Sequence, residues 1–204
     1  MSLRVAVLAS GAGTNLQALL ERVHGREGIE VVGVASDKAD APALGRAQAA
    51  AVATEVFPLE RYTDRAARDQ AMADWLHSRG AELVVLAGYM ALLSPAFLER
   101  FPRAVINVHP ALLPAFAGLH AVEQALAYGV KVFGVTVHFV DDGVDTGAVI
   151  LQRAVEIPDA RDPDEGLAAL HPIEHELLPE AVRLIARGAV KIDPTNPRRV
   201  LIER

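Results

Sequence analysis

Four short apolar runs, each stopped by a polar or glycine-bearing turn, constrain this chain more than any other feature. They are Leu3–Ala9, Val31–Ala35, Leu83–Ala87 and Ala104–Val108. Each is nearly continuous rather than alternating, which is the pattern of a strand buried on both faces. Strands of that kind belong to parallel sheets covered by helices. A further run, Ala53–Phe57, ends before Pro58. Between the runs the period changes to helical: Leu16, Leu19, Leu20 and Val23 share one face, as do Met72, Trp75 and Leu76 within Arg65–Arg79. Ala43–Ala51 and Ala121–Tyr128 read as helices, and Ser94 is placed to cap another that starts at Pro95.

After residue 130 the pattern alternates. In Val132–Val140, Gly134, Thr136 and His138 occupy one set of positions and Phe133, Val135, Val137 and Phe139 the other. Val149–Ile157 follows an Asp/Gly-rich turn and is expected to pair with it. Asp164–Arg187 predicts a long helix with breaks near Pro172 and Pro179, and Val200–Ile202 predicts an edge strand. The expected fold class is α/β: a single-domain, open, mostly parallel, Rossmann-like sheet of about seven strands with helices on both faces. Ligands of such sheets sit beyond the carboxyl ends of the strands. The loops to watch are therefore Ser10–Asn15, Gly88–Leu93, Asn107–Leu113 and Asp141–Gly147.

Composition removes several function classes. No cysteine is present, so thiolate nucleophiles, disulfides and cysteine-ligated zinc are out. Twenty Lys and Arg against 26 Asp and Glu give a net charge of −6, with no basic cluster to bind nucleic acid. Residues 1–4 lead straight into a strand with no signal-peptide pattern. The longest apolar stretch, Leu83–Leu93, falls short of the roughly 18 residues a membrane span needs. A cytoplasmic protein without membrane or nucleic-acid partners is expected.

The loop Ser10-Gly11-Ala12-Gly13-Thr14-Asn15 joins strand to helix. Glycines allow close backbone approach, and the helix N-terminus offers free amides, so a phosphate is a natural guest. A bare turn and, through Asp37, a dinucleotide site stay open, although Leu16 stands where the dinucleotide fingerprint has its third glycine.

Asn107 and His109 fall on one side of a strand end. An amide donor beside an imidazole suits acyl transfer to an amine: one stabilises an oxyanion and the other moves protons. The bland alternative is a strand-end histidine satisfied by backbone. Asp141-Asp142-Gly143-Val144-Asp145-Thr146-Gly147 reads first as a solvated turn, with a carboxylate partner for His109 as the functional alternative. His171-Pro172-Ile173-Glu174-His175 fits a zinc-hydrolase pattern, but no downstream third ligand is evident and Pro172 disturbs the helix the pattern requires. A half-buried His175 on an amphipathic helix is the simpler reading.

Together, the glycine loop through Ala18, Ser36-Asp37-Lys38-Ala39-Asp40-Ala41, Asn107-Val108-His109-Pro110-Ala111-Leu112-Leu113-Pro114, and His138 through Gly147 resemble the phosphoribosylglycinamide formyltransferases. The resemblance covers essentially the whole chain, residues 1–204. It implies a phosphate-binding half over 1–100 and a formyl-folate and catalytic half over 101–204, with no true boundary. It implies transfer of a formyl group from the co-substrate 10-formyltetrahydrofolate to the amine of glycinamide ribonucleotide, without metal. Gly13, Thr14 and Asn15 would hold the phosphate, and Glu174 would lie near the ribose and glycinamide. Asn107, His109 and Asp145 would be catalytic. Arg65, Met90, Ala91, Leu92, Leu93, Asn107, Val140 and Asp141 would meet the folate. The implied partners are small molecules, and a homodimer is allowed for. Tandem domains that mark formylating enzymes for tRNA, or formyl-folate hydrolases, have no room in 204 residues. The chain departs from the family pattern at Ala91, where Arg or Lys is common, at Ala111 in place of Ser, and at Ala117 in place of Pro.

Overall fold

The computed structural model describes residues 2–203. Among the described residues nine strands and six α-helices follow in chain order: β1 (Leu3–Leu8), α1 (Thr14–Arg22), β2 (Ile29–Ser36), α2 (Pro42–Ala49), β3 (Thr54–Val56), α3 (Arg65–Ser78), β4 (Leu83–Leu86), α4 (Pro95–Arg100), β5 (Val105–His109), α5 (Ala121–Tyr128), β6 (Val132–Phe139), β7 (Val149–Glu156), α6 (Pro163–Ala186), β8 (Val190–Ile192) and β9 (Val200–Ile202). Seven strands form one open sheet in the order 3-2-1-4-5-6-7. The α/β class and the mostly parallel sheet expected from the apolar runs are what the chain adopts.

The chain divides into two compact units, one ending at Ile106 and the other beginning at Asn107. In the first, β1 pairs in parallel with β2 and with β4, and β2 with β3. Val5, Ala6, Val7 and Leu8 of β1 are at most 1% exposed, which explains why this run does not alternate. α2 covers β2, and α3 packs on α4. β2 and β3 are added on one side of β1 and β4 on the other, so the order of connection switches between β1 and β4, the position where doubly wound sheets open a crevice. Two loops meet there: the Ser10 amide donates to the Gly88 carbonyl at 3.0 Å.

In the second unit β6 and β7 are antiparallel, with α6 against both and α5 against α6. The alternation in β6 does not mark a wet face, because residues 133 to 138 are all buried. Thr136 and His138 are inside because their polar atoms are occupied, as described below. The prolines do not break α6, contrary to expectation. Leu170, Leu177, Leu178, Ala181 and Val182 form a continuous buried face around Pro172 and Pro179. Burial of that stripe outweighs the roughly 3 kcal/mol that an internal proline costs. The tail strand β9 pairs with β8 in a two-stranded sheet and touches the main sheet's edge strand β7, where Arg199 bridges Val149.

Ser94 occupies the N-cap position of α4, yet its hydroxyl makes no capping bond; its backbone amide instead donates to Asp69. Among the described residues no helix is long and apolar enough to cross a membrane.

Candidate active site

The end of β5 carries the densest polar cluster of the second unit. Asn107 and His109 are two residues apart on one strand and project to the same side. Asp145 joins them from the turn between β6 and β7. One carboxylate oxygen lies 3.3 Å from His109 Nδ1 and the other accepts from Asn107 Nδ2 at 3.3 Å. The Gly118 amide donates to Asp145 at 2.8 Å. Asp145 has a positive φ of 53°, a left-handed conformation uncommon for a non-glycine residue.

Burial acts against the charged carboxylate. The hydrogen bond from His138, the Gly118 amide and the nearby His109 ring outweigh that cost and bring Asp145 down to about 2. It is an anion throughout the physiological range, facing an imidazole that is 5% exposed.

His109 Nε2 meets the Phe116 carbonyl at 2.9 Å, so both ring nitrogens face acceptors. Only a doubly protonated ring can donate to both at once. Asn107 Nδ2 also faces His138 Nε2 at 3.3 Å, while His138 Nδ1 donates to the Phe139 carbonyl at 2.8 Å. The site therefore presents an amide and an imidazole side by side, with a carboxylate behind them.

Two residues that sequence reasoning passed over hold this cluster. Fully buried Thr136 donates to the Ala111 carbonyl at 2.6 Å and accepts from the Leu113 amide at 3.2 Å. Gln152 reaches from β7 to the Leu113 carbonyl and the Thr136 hydroxyl at 2.8 and 2.9 Å. These bonds pin the Pro110–Pro114 segment onto β6. The Leu113–Pro114 peptide is cis. Alternating polar positions in β6 were the available signal for Thr136 and His138; nothing local pointed to Gln152.

The acidic turn folds around itself. Asp141 accepts from the Thr146 hydroxyl at 2.6 Å and the Gly143 amide at 3.1 Å. A Cβ at Gly147 would stand 1.8 Å from the Phe139 carbonyl, so only glycine lets the turn close. Val140 is half-buried beside it.

In the first unit, Gly13 precedes α1 in the left-handed conformation, φ 72°. A Cβ there would also lie 2.7 Å from that of Ala43, so this glycine is required twice over. Thr14 and buried Asn15 open the helix, and no side chain caps it. Asp37 accepts from the Ser10 hydroxyl at 2.5 Å. That same hydroxyl accepts from the Met90 amide at 2.9 Å. Met90 and Leu92 are exposed, Ala91 and Leu93 half-buried. Arg65 is exposed at the first turn of α3, where Asp64 caps the helix through the Ala67 amide. Glu174, 5% exposed, lies on the packed face of α6. His171 and His175 stack with ring centroids 6.0 Å apart, and among the described residues no three His, Cys, Asp or Glu side chains group around a metal position.

The formyl transferase family profile matches residues 3–182. The chain belongs to the formyl transferase family. Within that family its relatives are specific. The phosphoribosylglycinamide formyltransferase of Haemophilus influenzae is 37% identical over 190 residues, covering 93% of this chain and 90% of that protein. The Bacillus subtilis enzyme of the same name is 39% identical over 182 residues, covering 88% and 93%. A crystal structure of glycinamide ribonucleotide transformylase 1 from Symbiobacterium toebii superposes with a TM-score of 0.95 at 45% identity, covering all of this chain and 95% of that one. The human trifunctional purine biosynthetic protein adenosine-3 is 38% identical over 190 residues, but the chain spans only 19% of its length. The membership the motifs implied is thus met along the whole fold of the phosphoribosylglycinamide formyltransferases.

Proposed function

We propose that this chain transfers a formyl group from 10-formyltetrahydrofolate to the primary amine of glycinamide ribonucleotide. The observation that carries the reading is the meeting of Asn107, His109 and Asp145 within 3.3 Å contacts at one strand end. The amine attacks the formyl carbon directly. Electrons shift to the formyl oxygen, and an Asn107 N–H together with the His109 Nε2–H, exchanged from the Phe116 carbonyl to the substrate, stabilises that oxyanion as the tetrahedral intermediate forms. Collapse breaks the bond to the folate nitrogen, which takes a proton as the attacking amine loses one. Anionic Asp145 orients the His109 ring and balances the charge it carries while it passes that proton.

Gly13, Thr14 and Asn15 supply amides and side-chain donors for the acceptor's phosphate, and Glu174 receives its ribose and glycinamide. The Met90–Leu93 backbone of the first unit, and Val140 and Asp141 of the second, are assigned to the folate head group; Arg65 is assigned to the folate's carboxylate tail. With Ala91 in place of a basic residue, one charged folate contact is absent.

The direct test is to mix the protein with 10-formyltetrahydrofolate and glycinamide ribonucleotide and follow the absorbance of deformylated folate. Turnover that requires both substrates is expected. If folate is deformylated equally fast with another sugar amine, the acceptor assignment is wrong. If nothing happens with any amine, the transferase reading is wrong.

A further inference from the structure

A buried ion pair on α3 has no part in the chemistry above. Arg68 and Asp69 are 2% and 0% exposed. Arg68 Nε and Nη2 donate to Asp69 Oδ1 at 2.8 and 2.6 Å. Adjacent helical residues do not normally face one another. These two meet because both reach toward the same loop. Arg68 Nη2 also donates to the Leu92 carbonyl at 3.1 Å, and Asp69 Oδ2 accepts from the Ser94 amide at 2.6 Å.

At its other end the same loop is held from the turn after β1: the Ser10 amide donates to the Gly88 carbonyl and the Ser10 hydroxyl accepts from the Met90 amide. Four backbone groups of one loop are thus fixed from beneath. The side chains of Met90 and Leu92 meanwhile stand 59% and 60% exposed on top. A loop that merely connected β4 to α4 would not need such an anchorage. Nor does the ion pair add much to stability, since desolvating two charges offsets their attraction; buried pairs are better explained by the geometry they enforce. The surroundings are buried: Tyr89 and Ser94 are 9% and 6% exposed. Burial pushes the Tyr89 hydroxyl in the same loop well above its ordinary pKa, with Arg68 opposing and Asp37 and Asp69 adding to the rise.

We propose that Arg68 and Asp69 are positioning residues for the formyl donor, holding the Gly88–Ser94 loop in the shape that grips the folate head group. The inference rests on the formyl-folate reading above. α3 also begins at Arg65, the residue assigned to the folate tail, so one helix sets both the tail contact and the shape of the head-group loop.

The experiment is the double variant Arg68→Met/Asp69→Leu. Replacing a buried pair with apolar side chains of similar size commonly leaves the fold intact, but it strips the Leu92 carbonyl and the Ser94 amide of their partners. The KM for 10-formyltetrahydrofolate should rise about tenfold. The KM for glycinamide ribonucleotide should stay within about twofold, and circular dichroism should be unchanged. Unchanged folate KM, or an equal rise in both constants, overturns the proposal. Should the double variant not fold, Arg68→Lys decides: it keeps the charge but loses the guanidinium's second donor to Leu92. A folate KM that does not rise there also overturns it. Wild-type protein without folate-dependent turnover would instead sink the transferase reading, a separate result visible before any variant is made.

Discussion

Asn107 and His109 differ from ordinary strand residues in having polar atoms directed at a carboxylate instead of water. Truncating either removes a donor from the oxyanion. Asn107→Ala and His109→Ala should each lower kcat by about 100-fold to 1,000-fold, read in the coupled folate assay, with the melting temperature little changed. Asp145 makes a different prediction because its pKa is lowered. Its contribution to stability is complete above the unfolded value of about 3.9 and fades as pH falls through its folded value of about 2. Urea unfolding of wild type and Asp145→Asn should therefore diverge above pH 4 and converge toward pH 2. A gap that stays constant across that range would mean the carboxylate is not held by His138, Gly118 and His109 as described. At neutral pH the same variant should lose turnover, because an amide supplies no negative charge to balance a proton in transit through His109.

At the scale of elements, the turn after β5 depends on β6. Thr136 joins the Ala111 carbonyl, the Leu113 amide and Gln152 through a single hydroxyl. Thr136→Val preserves shape and removes all three bonds, leaving buried backbone groups unpaired. The expected loss is about 1–3 kcal/mol, measured by denaturant melts, together with a fall in kcat from misplaced Asn107 and His109. If stability falls while kcat holds, the segment is not what orients the strand end. These links were hard to read in advance. Thr136 looked like one polar position in an alternating strand, and Gln152 lies 39 residues from the carbonyl it binds. Local patterns specify faces and periods; they carry no information about which distant backbone group a side chain will find.

Taken whole, the molecule joins a cysteine-free composition to a site built from an amide, an imidazole and a carboxylate. Dialysis against a chelator should leave turnover unchanged, and metal analysis of the purified protein should find no stoichiometric zinc. Loss of activity that zinc restores would return the His171–His175 segment to consideration.

The sequence by itself determined the strand and helix periods, the glycine turn, and the segments Asn107–Pro114 and His138–Gly147, because these depend on neighbours along the chain. It pointed to Asn107, His109 and Asp145, which the fold brings together, but not to Thr136 and Gln152 behind them. Nothing in the sequence singled out Arg68 and Asp69, and α6 read as broken at its prolines. Tertiary structure alone decided that the pair is buried under a loop and that the helix runs on. Burial changes the energy of a charge, and packing against a sheet supplies free energy that no local propensity contains.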